Sequence, residues 1–434
     1  MMDDLSRRSF LKTSAAVAGV AAWSRTAAAR ALRGVPLRAG VIGCGGRGTG
    51  AARDLIAAAP DVTITALGDL FPDRLARSKA QLTQAIGPQL RTEGREFSGF
   101  DAVAQVLATD CDLVILATPP GFRPQHLAAA VAAGKHIFTE KPVAVDPVGV
   151  RSVLASAERA AANGTAVVAG TQRRHDPKYV EAMRRLHDGA IGEILSGQVY
   201  WNQGGLWHVE RTSGMSDVEW QIRNWLYLAW LSGDHVVEQH IHNLDVANWA
   251  LGGTPVRANG VGGRQVRVDP SYGHIFDHFG VELEYANGAR ILSMCRQQDG
   301  TARYVGEYFV GTRGTSDGSS WIRGSPAWRW TEAEEPVNPY VQEHADLVAS
   351  IAAGRPLNEL RQVAESTLTA IMVREAAYTG QVITWDQILA SDLDLMPDVE
   401  AFGTMAMPPV PAPGITQLNR PPFGYAQESP AGGR

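Results

Sequence analysis

Gly43-Cys44-Gly45-Gly46-Arg47-Gly48 stands between an aliphatic run, Leu37 to Ile42, and an Ala-rich stretch with helical spacing. In that position Gly43 makes a tight turn, Gly45 lets the backbone approach a pyrophosphate, and Gly48 lets helix and strand pack closely. Gly46 and Arg47 complete the loop, and the helix N-terminus that follows favours phosphate charge. With 45 glycines in the chain the motif alone is weak. Leu67-Gly68-Asp69, however, ends a second aliphatic run about 20 to 26 residues on, where a carboxylate bonds a ribose diol. Together they point to a nicotinamide or flavin dinucleotide. A carboxylate at Asp69 repels a 2′-phosphate, which favours NAD, and Arg74 nearby keeps NADP open.

A second constellation lies downstream. Glu238, His242, Asp245 and Trp249 are spaced by 4, 3 and 4 positions, which sets them on one face of a helix. An imidazole with an ordinary pKa of about 6.5 is suited to proton transfer near neutral pH. Glu238 can orient His242, bond a substrate hydroxyl or act as the base itself. The bland alternative is a histidine that caps or pairs at a domain interface. His235, Glu238, His240 and His242 also invite a metal reading. On a helix turning about 100° per residue, His240 points roughly 160° away from His242, so the pair cannot chelate and no metal is expected.

Six of the eleven tryptophans, Trp201, Trp207, Trp220, Trp225, Trp230 and Trp249, fall within 49 residues. Aromatic faces stack on sugar C–H faces, and Asn202, Gln203, His208, Arg223 and Asn224 in the same stretch can bond hydroxyls. A carbohydrate pocket is the functional reading; several rings are expected to be core instead. Arg223, Tyr227, His235 and Asp245 are the candidates for substrate contact, with Arg174 and His175, after a strand ending at Gly170, as further ones.

The elements that must position these residues read as α/β. From Leu37 to about Asp146, short aliphatic runs alternate with helical stretches, as a doubly wound parallel sheet requires. Strands are expected at Leu37–Ile42, Val62–Leu67, Leu113–Ala117 and His136–Phe138. Helices are expected at Gly48–Ala59 and Pro124–Ala133, the latter capped by Gly134. Residues 37–160 are therefore read as a Rossmann dinucleotide-binding domain. Residues 161–395 are read as an α+β substrate and oligomerisation domain with an open, mainly antiparallel sheet. Phe279–Tyr285 and Ala289–Cys295 flank Ala286-Asn287-Gly288, a hairpin signal in which Asn and Gly both accept positive φ. Tyr304–Gly311 and Ser319–Ile322 extend that sheet, and helices are expected at Val150–Asn163, Lys178–Asp188, Val341–Ala353 and Gln362–Tyr378. Eight of the 24 prolines lie from Pro397 onward, so residues 396–434 form an arm, packed on the body or on another subunit, or a disordered tail.

Composition narrows the classes. The 434 residues are 45% apolar and 20% charged, with 40 Lys and Arg against 45 Asp and Glu and a net charge of −5. That gives no electrostatic footprint for nucleic acid. Three scattered cysteines exclude a disulfide framework, and no apolar run reaches the roughly 18 residues of a spanning helix. Ser6-Arg7-Arg8-Ser9-Phe10-Leu11-Lys12, the apolar run Ala15 to Trp23 and Ala27-Ala28-Ala29 have the layout of an export signal with a cleavage site over residues 1–29. The paired arginines are similar to the bacterial twin-arginine signal. Export to the periplasm or beyond is expected, with no membrane attachment after cleavage.

Ala117-Thr118-Pro119-Pro120, His126 and Glu140-Lys141-Pro142 carry a resemblance to the Gfo/Idh/MocA oxidoreductases. It continues through Gly189-Ala190-Ile191-Gly192-Glu193-Ile194, Val310-Gly311-Thr312-Arg313-Gly314-Thr315 and Gly354-Arg355-Pro356, and so covers about Leu37 to Thr384. The resemblance implies that Lys141 is the catalytic lysine and that Lys141, Thr118, Pro119, His126 and Glu140 belong to the cofactor pocket. It also implies that His242 is the acid/base, with Asp245 helping to hold the arrangement. Glu238 stands where an aspartate is usual. His242 and Lys141 would then serve as the base for a hydroxyl proton and the cation beside a developing alkoxide.

The activity this implies is hydride transfer between a nicotinamide cofactor and a secondary hydroxyl of a sugar, polyol or glycoside. The family sheet commonly pairs subunits, so a homo-oligomer is expected. Because free NAD is scarce outside the cytoplasm, an exported member is expected to hold its cofactor tightly. Two rival readings remain open here: a redox-neutral NAD-dependent glycoside hydrolase or lyase, and a non-catalytic dinucleotide-binding scaffold.

Overall fold

Arg38–Ile42 (β1), Thr63–Asp69 (β2), Leu113–Leu116 (β4) and His136–Thr139 (β5) are almost continuously buried, as strands covered by helices on both faces must be. The computed structural model describes residues 36–333 and 336–421; the expected signal at 1–29 lies outside the described residues. With Glu96–Ser98 (β3) and Val167–Ala169 (β6), these strands form one parallel sheet in the order β3-β2-β1-β4-β5-β6. The chain leaves β1 in one direction toward β3 and returns beside β1 at β4. Ligands in such sheets bind beyond the carboxyl ends of the strands at that reversal.

Helices Gly46–Ala58 (α1), Pro72–Ile86 (α2), Ala102–Leu107 (α3), Arg123–Ala132 (α4) and Pro147–Asn163 (α5) cover the sheet. Their ends follow local chemistry. Gly134 takes φ +67° beyond α4, as expected, and Asp146 caps α5 by accepting from Gly149 N–H at 2.6 Å. The sixth strand falls beyond the boundary expected at residue 160, and α2, α3 and β3 were not among the expected elements.

The second domain is built on a nine-stranded sheet. Its strands are Ile194–Gln203 (β7), Pro255–Gly263 (β8), His278–Tyr285 (β9), Arg290–Gln297 (β10), Tyr304–Gly311 (β11), Gly314–Ser316 (β12), Trp321–Arg323 (β13), Trp328–Arg329 (β14) and Ile383–Thr384 (β15). They run in the order β14-β13-β12-β11-β7-β10-β9-β8-β15, antiparallel except for β7 against β10. In the β9–β10 hairpin only Gly288 takes positive φ, +83°. Asn287 contributes its side chain instead, accepting from Ala289 N–H at 3.1 Å.

Helices Pro177–His187 (α6), Asp217–Arg223 (α7), Ala229–Ser232 (α8), His235–Glu238 (α9) and Ile241–Leu251 (α10) lie on or beside this sheet, followed by Pro339–Ala352 (α11), Leu360–Thr379 (α12) and Trp385–Ala390 (α13). Late in the chain, α11 packs back on the first domain, its Leu347 and Val348 sharing a core with Ala51, Leu55 and Val41. By contrast, α12 is apolar or small nearly all round, and 17 of its 20 residues are buried. It packs α5 on one side and β8 on the other, so it ties the two domains together. Beyond it, the described part of the arm lies on the body, where Gly414 N–H bonds the Thr379 carbonyl and Arg420 pairs with Glu375 at 2.6 Å.

Candidate active site

A cleft of about 1150 Å³ opens at the carboxyl ends of β1, β2, β4, β5 and β6 and runs under the second domain. At the end of β1 the chain turns at Gly43 with φ +94°, and a Cβ there would lie 2.6 Å from Ala117 and Thr118 backbone atoms. A Cβ at Gly48 would collide with the Gly43 carbonyl. Gly45 and Gly46 behave differently: both line the cleft, and a Cβ on either would meet nothing within 4 Å. They leave a cradle that a ligand can fill. The first turn of α1 carries no acidic side chain, so its N-terminal N–H groups remain suited to phosphate.

Asp69 is buried at the end of β2 and accepts from Cys44 N–H at 2.6 Å and Phe71 N–H at 2.8 Å. Burial pushes its pKa up against the pull of those two bonds. A carboxylate offers about four lone-pair positions, so two remain for a ribose diol. These residues fit a dinucleotide.

Across the cleft, Thr118 Oγ1 lies 3.0 Å from His126 Nδ1, and both residues line the cleft with Pro119. Burial and the neighbouring Arg123 hold the His126 pKa down to about 3, so the ring is neutral. Arg123, which sequence reasoning missed, is buried under this loop and donates to the Leu116 and Thr118 carbonyls. Glu140 is buried and pairs with Arg47, whose guanidinium also reaches Glu343 at 3.2 Å and Asp54 at 3.3 Å. Gly170 makes room for this pair, since a Cβ there would lie 2.6 Å from Glu140 Oε2.

Lys141 enters from the end of β5, and its Nζ lies 2.9 Å from Glu238 Oε1 while also donating to the Glu238 carbonyl. His242 lines the same cleft, its ring stacked on Trp201 at 5.7 Å. Burial first, then the charges of Lys141, Arg173 and Arg47, drives its pKa well below the ordinary value. The imidazole is therefore neutral and able to accept a proton. Glu238 and His242 do not share one regular helix: α9 ends at Glu238, Gln239 and His240 link, and α10 begins at Ile241. Both side chains nevertheless reach the cleft.

Several expected contacts are elsewhere. Asp245 is buried away from the cleft lining, where it binds Arg174 through both oxygens at 2.9 and 3.1 Å, Gln362 at 2.6 Å and Ser366 at 2.7 Å. Neither Arg174 nor Asp245 is free for a substrate. Tyr227 is core, with its hydroxyl on the Leu206 carbonyl at 2.9 Å. His235 is buried against Phe279, with Nδ1 2.8 Å from Asp234. His175 sits between Asp346 and Glu359, and Asn202, Gln203, His208 and Asn224 do not line the cleft.

Arg223 does line it, held by Asp73 at 3.0 Å and Glu219 at 2.9 Å. Of the six clustered tryptophans only Trp207 and Trp225 do so. Gln172 and Tyr340, bonded to each other at 3.2 Å, complete that side and were not anticipated. The histidines of the metal reading diverge, since His240 points to Ser293 at 2.9 Å while His242 faces the cleft. Among the described residues no group of three or more His, Cys, Asp or Glu is placed to hold a metal ion.

Residues 37–167 match the oxidoreductase family GFO/IDH/MocA with its NAD-binding Rossmann fold, and residues 179–316 match the C-terminal domain of the same family. The chain belongs to that family. Residues 4–22 match the twin-arginine translocation signal, which indicates export. Inositol 2-dehydrogenase from Rhizobium meliloti is 27% identical over 258 residues, 59% of this chain and 67% of that one. A glycosyl hydrolase family 109 protein from Streptomyces coelicolor is 29% identical over 195 residues, 43% of this chain and only 39% of that protein. Aldose-aldose oxidoreductase from Caulobacter crescentus, solved with glycerol, shares the fold with a TM-score of 0.62 at 20% identity, covering 80% of this chain and 99% of that one.

Proposed function

We propose that this protein oxidises a secondary hydroxyl of a sugar, polyol or glycoside, using NAD held in the cleft. The observation that carries the reading is the meeting of Lys141, Glu238 and His242 in the cleft that the glycine loop opens onto. NAD, when bound, accepts the hydride. His242, neutral, takes the hydroxyl proton. Lys141 stands beside the oxygen that becomes negative, and Glu238 holds the ammonium in place. Trp207, Trp225 and Arg223 lie in the part of the cleft left for the sugar. The names of the inositol and aldose relatives support that substrate class.

Export supports a tightly held cofactor, loaded before the folded chain crosses the membrane and active in the periplasm. The second sheet supports a homo-oligomer, because Leu195 and Tyr304 stand half exposed and Val261 is 73% exposed on its strands. The test is to purify the chain from Arg30 onward, denature it and identify the nucleotide released by chromatography and mass. Stoichiometric NAD supports the reading, and paired sugars, one oxidised while another is reduced, are then assayed. A protein that emerges empty and binds added NADH weakly overturns the resident cofactor.

The glycosyl hydrolase relative favours a second reading, in which transient oxidation would acidify a neighbouring C–H, elimination would expel the aglycone, water would add to the resulting double bond and the hydride would be returned. Release of an aglycone without net NADH selects it over net oxidation.

A further inference from the structure

We propose that the C-terminal segment Val399–Phe402 is part of the dinucleotide site, forming the outer wall of its adenosine end and slowing release of the nucleotide. The proposal rests on the NAD-binding reading of the cleft and is independent of the substrate. The adenosine end is located by Asp69, since the carboxylate ending the second strand is the ribose partner in such folds. Phe71 and Phe100 line the cleft next to it, and Val399 and Glu400 line that same cleft from more than 290 positions later in the chain.

The segment is built into place rather than laid across it. Phe402 stacks on Phe71, with ring centroids 5.8 Å apart and planes 10° apart, and meets Phe100 edge-on at 5.2 Å. The Arg223 guanidinium lies 3.9 Å from the Phe71 ring centroid. On the near side of the segment, Leu395 N–H bonds Asp146 at 2.9 Å. On its far side, Val218 N–H bonds the Gly403 carbonyl at 3.1 Å. Met405 N–H bonds Asp217 at 3.0 Å, and Gln221 bonds the Met405 carbonyl at 3.1 Å.

Asp217, Val218 and Gln221 lie on α7 of the second domain, whereas Phe71 and Phe100 belong to the first. The segment therefore bridges both walls, and a nucleotide leaving from the adenosine end must displace it. Both family matches end before it, at residues 167 and 316.

The experiment uses the full mature chain and Phe402→Ala, with NADH, AMP and nicotinamide mononucleotide as probes. Phe402 is half exposed, so the variant is expected to fold, and circular dichroism and the thermal midpoint verify that. Loss of the aromatic pairs is expected to speed NADH release about three- to tenfold and to weaken AMP by a similar factor, leaving nicotinamide mononucleotide unchanged. A chain ending at Leu395 shows the same pattern more strongly if it folds. Equal NADH release rates in wild type and a folded Phe402→Ala protein overturn the proposal, as does equal weakening of AMP and nicotinamide mononucleotide. A wild-type chain that releases no nucleotide on denaturation and binds none of the three probes overturns the dinucleotide reading itself, a separate outcome.

Discussion

The ammonium of Lys141, at the end of a first-domain strand, and the carboxylate of Glu238, on a short second-domain helix, lie 2.9 Å apart across the domain junction. The pair fixes the cation in the cleft at the seam between the two domains. Lys141→Ala is expected to lower kcat roughly 10²- to 10⁴-fold, the range for loss of a positioned catalytic group, while NADH affinity stays within a few-fold. Lys141→Arg keeps charge but replaces a point donor with a planar fork and is expected to rescue only part. Steady-state kinetics with NADH titration separates these effects. A kcat unchanged in Lys141→Ala removes Lys141 from the catalytic machinery, whereas a wild type that binds NADH and turns over no sugar, polyol or glycoside leaves the scaffold.

His242 makes a prediction about pH. Burial and the cations Lys141, Arg173 and Arg47 all favour the neutral ring, so the base form persists below the ordinary histidine value of about 6.5. In the oxidation direction, kcat/KM is expected to be flat above that pH and to fall only on a limb well below it. Removing a cation moves the limb upward: in Lys141→Met the residual activity should lose its base form at a higher pH than wild type. Burial remains as the largest contribution, so the limb stays below about 6.5. A limb that moves down, or does not move, argues against His242 as the base.

Two glycines of one loop should respond in opposite ways. At Gly45 the backbone is extended, with φ −73°, and a Cβ has open space. Gly45→Ala is expected to keep the thermal midpoint while weakening NADH about ten- to a hundredfold, because the methyl occupies the phosphate's approach. At Gly48 a Cβ meets the Gly43 carbonyl in the protein itself. Gly48→Ala is expected to destabilise by roughly 1–3 kcal/mol, the usual cost of overpacking. Thermal melts with and without NADH tell the two apart; a Gly45→Ala protein that binds normally removes the loop from the phosphate site.

The parts of the site that were legible in the sequence are those whose signal is local. The glycine loop, Asp69 and the Lys141 motif each sit at a strand's carboxyl end, and the alternation of apolar runs locates such ends. The 4, 3, 4 spacing singled out His242, although the helix breaks between Glu238 and Ile241 and Asp245 turns to Arg174 rather than to the cleft. Residue type misled at Tyr227 and His235. Both suit a sugar, yet the run Leu226 to Leu231 is almost wholly buried, and chemistry says nothing about depth. Phe71 and Val399 were illegible as partners because only folding brings such distant positions to one wall. The helix Pro72–Ile86 was missed because only Leu75, Leu82 and Ile86 mark its apolar stripe.

Asp245 separates a brace from a substrate contact. Its carboxylate is 1% exposed and engages Arg174, Gln362 and Ser366, so it ties α10 to α12 and to the turn after β6. Breaking one side of a buried ion pair leaves the other charge uncompensated, which costs about 3–5 kcal/mol. Asp245→Asn is therefore expected to lower the denaturation midpoint clearly while leaving KM for the sugar within a few-fold. Replacing both partners together, Arg174→Met with Asp245→Leu, removes the unpaired charge and is expected to recover much of the loss. A normal melting curve with a large rise in KM would return Asp245 to the substrate pocket.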